Sequence, residues 1–228
     1  MRILALETTE RDGSLAAADD GNLLAELILD RAQRSAQSLA PAIVALLRQV
    51  GWRARDVQLV AVSGGPGSFT GLRIGVTTAK VFAYAVGAAI VGINTLETIA
   101  AAVPEDVIKV SAAMDAQRGQ LVARSYRRRS DGWFEPAETE KLIDIETWLE
   151  HLTPEIAVSG PVLGKLAGRL PCHVRPVDPR YWPPRASTVA RLAARDYALG
   201  RRDDLWKLVP HYCRRSAAEE KLEVRGGG

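Results

Sequence analysis

The sequence predicts an α/β protein of two related lobes, each a mixed β-sheet with flanking helices. Three observations carry this. Short apolar, β-branched runs alternate with helical patterns over residues 1–103, which implies sheets covered by helices, with a parallel part. The strand–turn–strand order that opens the chain partly repeats after Pro104. The chain has 228 residues, 47% of them hydrophobic and 25% charged. That is enough for one large core or two smaller ones, with the composition of a globular protein.

The elements follow in order. Arg2 to Leu6, Ser14 to Ala18 and Leu23 to Leu29 read as an antiparallel meander, broken by charged or Asp-Gly-Asn turns. Leu39, Ile43, Leu46, Leu47 and Val50 have helical spacing. Gly51 is a C′ residue there, Ser38 a candidate cap, and Pro41 is placed in the first turn. Val57 to Val62 is a buried strand, and a helix runs from about Leu72 to Gly87. Ile90 to Ile93 is another strand, and Thr95 to Ala102 a helix stopped by Pro104. The first half thus reads β-β-β-α-β-α-β-α. We place a lobe boundary at Pro104, giving residues 1–103 and 104–228.

The second half starts with strands Ile108 to Met114 and Leu121 to Tyr126 around the turn Asp115 to Gln120. The run from Arg127 to Gly132 reads as a charged hairpin tip. Asp144 caps a helix to Leu152, Ile156 to Ser159 and His173 to Val177 are strands, and Ser187 caps a helix ending at Gly200. The C-terminal helix and tail are candidates to pack back on the first lobe, and the polar, glycine-ended tail is expected to be disordered at its end. Two such lobes leave a cleft between them, a common ligand site.

Composition sets bounds. A net charge of +3 permits contact with nucleic acid without arguing for it. Cys172 and Cys213 are isolated, so neither a zinc site nor a disulfide framework is indicated, and a cytoplasmic location is expected. The N-terminus lacks the apolar stretch of a signal peptide. The longest apolar run, Val81 to Ile93, falls short of the roughly 20 residues of a membrane span.

The most informative stretch is Val57 to Gly87. A strand enters the loop Ser63 to Gly71, rich in glycine, and a helix follows. Unpartnered N–H groups and the positive end of the helix dipole make such a junction a possible anion site. Ser68 and Thr70 add hydroxyls, with Thr70 as candidate N-cap. The loop matches neither a Walker A nor a dinucleotide fingerprint. The alternative is that its glycines serve only tight turns and close strand–helix packing. In the helix, Gly71, Gly75, Ala79, Ala83 and Gly87 recur every four residues. This small-residue stripe fits either the chain's own sheet or a partner subunit. Glu7, ending the first strand, is either a solvated loop carboxylate or a metal or phosphate-water ligand.

Catalytic constellations are missing. His151, His173 and His211 form no helical two-histidine pair, no Gly-x-Ser-x-Gly elbow occurs, and neither cysteine has a reactive context. Asp115 and Arg118 share a tight turn and read either as an ion pair stabilising it or as a functional pair.

GGPGSFTGLRIG (Gly64 to Gly75) resembles the signature of the TsaB family of tRNA threonylcarbamoyladenosine biosynthesis proteins. This family lies in the TsaD-like, formerly glycoprotease, branch of the actin-like ATPase superfamily. Further agreeing stretches are ILALETT, INTLETIA from Ile93, MDAQRGQLVARSY from Met114 and PHYCRRSAAE from Pro210. The resemblance implies an actin-like (ribonuclease H-like) fold and a non-catalytic scaffold subunit in modification of the adenosine next to the anticodon. It implies pairing with a TsaD homologue, recruitment of the ATPase TsaE, self-pairing when alone, tRNA contact through the complex, and no membrane. No intrinsic cofactor is implied, with ATP or ADP in the assembled complex.

In that family the pairing helices are the first two of the first lobe. This points to Leu39, Ile43, Leu46 and Leu47, and to Leu72, Gly75, Val76, Ala79 and Ala83. A vestigial phosphate loop would comprise Glu7, Thr8, Gly65, Gly67, Ser68 and Thr70. The metal-binding His-x-x-x-His of the catalytic sibling is absent. Two departures stand out: Glu7-Thr8 where the family has Asp-Thr, and Ser35 where histidine is frequent. The competing reading is an actin-like nucleotide hydrolase or phosphotransferase working in the cleft. A smaller expectation assigns tRNA contact to Arg127–Arg129 and Arg214–Arg215.

Overall fold

A computed structural model describes residues 1–29, 35–166 and 168–214. The strands are β1 (Arg2–Glu7), β2 (Ser14–Asp19), β3 (Asn22–Ile28), β4 (Leu59–Gly65), β5 (Ala89–Asn94), β6 (Lys109–Asp115), β7 (Gln120–Arg128), β8 (Phe134–Pro136), β9 (Lys141–Asp144), β10 (Ala157–Ser159) and β11 (Arg175–Pro176). The helices are α1 (Ser35–Gln49), α2 (Phe69–Val86), α3 (Thr95–Ala101), α4 (Ile145–Glu150), α5 (Leu163–Leu166) and α6 (Ala186–Ala198).

The first sheet has the order β3-β2-β1-β4-β5. β1 pairs antiparallel with β2 and parallel with β4, so it is central and buried on both faces. The period-2 rule then assigns its side chains. Leu4 and Leu6 join the core under α1 and α2, whereas Ile3 and Ala5 meet Val189, Leu192 and Ala193 of α6. The C-terminal helix thus packs on the sheet built by the first hundred residues. In the second sheet, β11-β10-β6-β7-β8 with β9 beside β7, Val110, Ala112 and Met114 face α3. Ala113 and Leu121 face α4 and α5.

Several boundaries move. β4 continues through Ser63 and Gly64 to Gly65, and α2 begins at Phe69, so Ser68 rather than Thr70 is its N-cap; Ser68 Oγ accepts from Gly71 N at 3.3 Å. Pro41 lies inside α1, not in its first turn, because the helix already starts at Ser35; Ser38 is likewise interior. Ser187 lies within α6 rather than capping it. The first amides of α6 are taken from afar: Ala186 N donates to Ser14 Oγ (2.8 Å) and Ser187 N to Glu26 Oε1 (2.9 Å). β9 has no counterpart in the sequence reading. Asp203, Leu208 and His211 contact the first sheet, Cys213 and Arg214 reach the second, and the expected tail disorder falls on 215–228, outside the described residues. Among the described residues no helix is long and apolar enough to cross a membrane.

Candidate functional site: a filled loop and an acid-free helical face

The glycine-rich loop is occupied by the chain itself. A Cβ on Gly71 would stand 1.9 Å from the Thr8 carbonyl oxygen, and one on Gly75 2.1 Å from Thr8 Oγ1. Thr8 Oγ1 donates to the Gly71 carbonyl (2.8 Å), and Ser68 N to the Thr9 carbonyl (2.9 Å). Gly67 presses on Thr9 in the same way. On the other side His211 N donates to the Gly64 carbonyl at 2.7 Å, and Gly65, at φ 120°, leaves room for the His211 carbonyl. Gly65 and Gly71 permit backbone approach, and Gly67 and Gly75 make room for the side chains of Thr9 and Thr8. Ser68 and Thr70 remain exposed at its rim.

Glu7 is neither solvated nor open to a ligand. It is fully buried, with Oε1 accepting from Thr9 N (2.6 Å) and Thr9 Oγ1, and Oε2 from Ser63 Oγ. Burial raises its carboxyl above the ordinary range, against the hydrogen bonds from Ser63 and Thr9 and the charge of Arg185. Beyond it, half-buried Glu10 is pushed up to about 7, by burial first and then by the charges of Glu7, Asp115 and Asp12, with Lys165 opposing. Asp115 accepts from Gln117 N at 2.8 Å and ion-pairs with Lys165. The three histidines are dispersed. His151 Nδ1 lies 2.6 Å from the Thr147 carbonyl, His173 Nε2 3.1 Å from that of Leu152, and His211 Nε2 2.7 Å from Glu140 Oε1. No group of three or more metal-ligating side chains gathers among the described residues.

Of the two readings of the small-residue stripe, packing on the chain's own sheet accounts for its burial in this chain. Leu39, Ile43, Leu46, Leu47, Leu72, Val76, Ala79 and Ala83 are each at most 5% exposed, and Gly75 is buried against Thr8. These residues seat α1 and α2 on the chain's own sheet. What the two helices show outward is their complement: Ala40, Val44, Ala45 and Arg48 on α1, and Thr70, Arg73, Thr77, Val81, Tyr84 and Ala85 on α2. The helical period separates two faces of each helix, but which of them the sheet takes is decided by distant residues such as Thr8. Neither helix contains an aspartate or glutamate.

The arginine hairpin is engaged within the chain. Arg127 pairs with Glu135 (2.8 Å) and Arg129 with Asp131 (2.9 Å). Arg128 donates to the carbonyls of Pro104 (2.7 Å) and Val107 (2.9 Å). Trp133 at the tip lies between Arg191 and Arg195 of α6, 5.2 and 4.9 Å from its ring centroid. The run clasps the second sheet to α6. Arg214 donates to the Ala116 carbonyl and Gln120 Oε1; Arg215 lies outside the described residues.

Comparison with known proteins agrees with this architecture. The sequence profile described as "TsaD: tRNA N6-adenosine threonylcarbamoyltransferase" matches residues 23–169. The tRNA threonylcarbamoyladenosine biosynthesis protein TsaB of Escherichia coli is 29% identical over 233 residues, covering 97% of this chain and 98% of that protein. Its Bacillus subtilis namesake is 32% identical over 152 residues, 67% and 66% of the two chains. The solved structure of YeaZ from Pseudomonas aeruginosa superimposes with a TM-score of 0.80 at 24% identity, over 92% of this chain and 99% of that one. The two-sheet fold is therefore the actin-like one, and the chain belongs to the TsaB family, within the TsaD-like branch.

Proposed function

We propose that this chain is a non-catalytic subunit of the complex that adds threonylcarbamoyl to the adenosine next to the anticodon of tRNAs, pairing with a TsaD-family catalytic subunit. The names of its relatives support the pathway. The observation that carries the subunit role is the outward face of α1 and α2. It is apolar around Val44, Val81 and Tyr84, free of acidic residues, and set beside a loop already filled by Thr8, Thr9 and His211. An apolar face depleted of carboxylates has the composition of an interface core. In this reading the TsaE homologue joins the assembled pair in the cytoplasm, ATP or ADP is held by the complex rather than by this chain alone, and tRNA is bound by the whole. Alone, the chain pairs with itself through the same face.

The test is reconstitution of tRNA modification from the TsaD- and TsaE-family proteins of the same organism, with and without this chain. Product should depend on the chain, and Val44→Arg should fail to support it while leaving the fold intact. Equal product without the chain overturns the reading. The hydrolase alternative is checked by calorimetry of the isolated chain with ATP and Mg²⁺. Micromolar binding with turnover, reduced in Glu7→Gln, would favour it over the subunit role.

A further inference from the structure

The outward face of α2 does not end at the helix. The C-terminal segment 203–209 meets it at Trp206 and Leu208, whose carbonyls accept from Lys80 Nζ (3.3 and 3.0 Å). Asp204 Oδ1 accepts from the amides of Trp206 (2.7 Å) and Lys207 (3.2 Å), and Leu208 packs over Gly92. The backbone is thus held at both ends of a short turn. The turn presents Trp206, 73% exposed, edge-on to Tyr84, 68% exposed, with ring centroids 5.6 Å apart. Val81 (62%) lies one helical turn before Tyr84, and Val209 (68%) three residues after Trp206. Large aromatics standing free on a fixed backbone are unusual on a monomer surface. Trp and Tyr are enriched at interface hot spots, and a pre-organised pair loses less freedom on binding.

We infer that Tyr84 and Trp206 form the aromatic anchor of the partner interface, and that the C-terminal segment supplies part of it. The inference rests on the subunit reading above, and its occupant is the TsaD-family subunit. Two observations select the kind of surface it meets. The patch is continuous with the acid-free face of α2. The exposed charges of α1, α2 and the segment are Arg48, Arg73, Lys207 and Asp204, and the one carboxylate among them, Asp204, is already turned onto the amides of Trp206 and Lys207. The partner should therefore offer an apolar socket for the two rings, edged by carboxylates.

The experiment measures affinity of the full-length chain for the purified TsaD-family subunit of the same organism, in wild type, Trp206→Ala, Tyr84→Ala and Val44→Arg. Sedimentation of the chain alone is recorded in parallel. All three side chains are exposed, so the variants should fold as wild type does, which circular dichroism checks. Loss of a hot-spot ring should weaken binding at least about 30-fold, and Trp206→Phe should recover most of it. If Val44→Arg abolishes binding while both aromatic variants stay within about threefold, the anchor is wrong and the subunit reading stands. If the aromatic variants weaken binding and Val44→Arg does not, the anchor is upheld and the α1 part of the interface falls. If none of the three matters, or wild type does not bind, both fall. If Trp206→Ala instead splits a dimer of the chain alone without changing partner affinity, the patch belongs to a second copy and the inference is overturned.

Discussion

Gly75 faces Thr8 so closely that a Cβ on it would stand 2.1 Å from the Thr8 hydroxyl, which itself donates to the Gly71 carbonyl at 2.8 Å. An alanine inside a helix is worth about 1 kcal/mol over glycine. Here overpacking reverses the sign, at a cost of about 1–3 kcal/mol. Gly75→Ala should therefore destabilise the fold by up to about 2 kcal/mol net. Gly71→Ala should do more, because it meets a carbonyl oxygen at 1.9 Å rather than a side-chain tip. Thr8→Ala should recover part of the loss in the Gly75→Ala background. A double-mutant cycle by urea denaturation measures this, and simple additivity would contradict the packing account.

That relationship also explains what the sequence did and did not reveal. The order β-β-β-α-β-α-β-α was legible because each element carries its own period and its own stop, such as Gly51 and Gly87. The stripe at Gly71, Gly75, Ala79 and Ala83 was visible too, but not the direction it faces. Deciding that requires Thr8, more than sixty residues earlier. Glu7 was placed at the end of its strand, yet its partner Ser63 lies 56 residues on, so its burial was out of reach of local reasoning. The same holds for α6, whose first amides are taken by Ser14 and Glu26 rather than by its own Ser187.

Inward and outward residues of α1 should separate in a pair of assays. Leu46 is fully buried, and Leu46→Ala should cost about 2–5 kcal/mol of stability. Val44, 48% exposed two residues earlier, should tolerate arginine within about 0.5 kcal/mol. Partner binding should show the reverse order, lost in Val44→Arg and retained by whatever fraction of Leu46→Ala is folded. Thermal melts and pull-down on the same preparations read both. A large melting shift in Val44→Arg would contradict its outward placement.

Glu10 should give stability a pH dependence of defined sign. Its folded carboxyl titrates at about 7 against 4.5 when free, burial being the first cause and the charges of Glu7 and Asp115 the next. The native state then holds more protons than the unfolded chain between those values, so stability falls as pH rises from about 4.5 to about 7 and levels off above. Glu7, also raised, acts in the same direction. Glu10→Gln should flatten the curve, gaining about 1–2 kcal/mol over wild type between pH 5 and 8 once solvent screening is discounted. Lys165→Met, which removes the opposing charge, should steepen it. Urea midpoints across pH 4.5–8 test this, and a wild-type stability that rises through the window would refute it.

The outer edge of β5 is closed by the C-terminal segment, and Asp203 is the residue that closes it. Its Oδ2 accepts from Gly92 N at 2.7 Å, and its own amide donates to the Ile90 carbonyl at 3.1 Å. Arg201, paired with Asp203 at 3.2 Å, donates to the Gly92 carbonyl at 2.6 Å. An edge strand left open invites pairing with other chains, and here a carboxylate and a guanidinium replace the missing neighbour. Asp203→Ala leaves the Gly92 amide without its acceptor, which should cost about 1–3 kcal/mol. Asp203→Asn keeps an acceptor oxygen and should lose less. Amide hydrogen exchange distinguishes this from general loosening: Gly92 should speed up in Asp203→Ala well beyond the global change, while Val60 and Val62 in the sheet interior follow global stability alone. Uniform acceleration across β4 and β5 would mean that the segment contributes packing only, and that the edge contact is incidental.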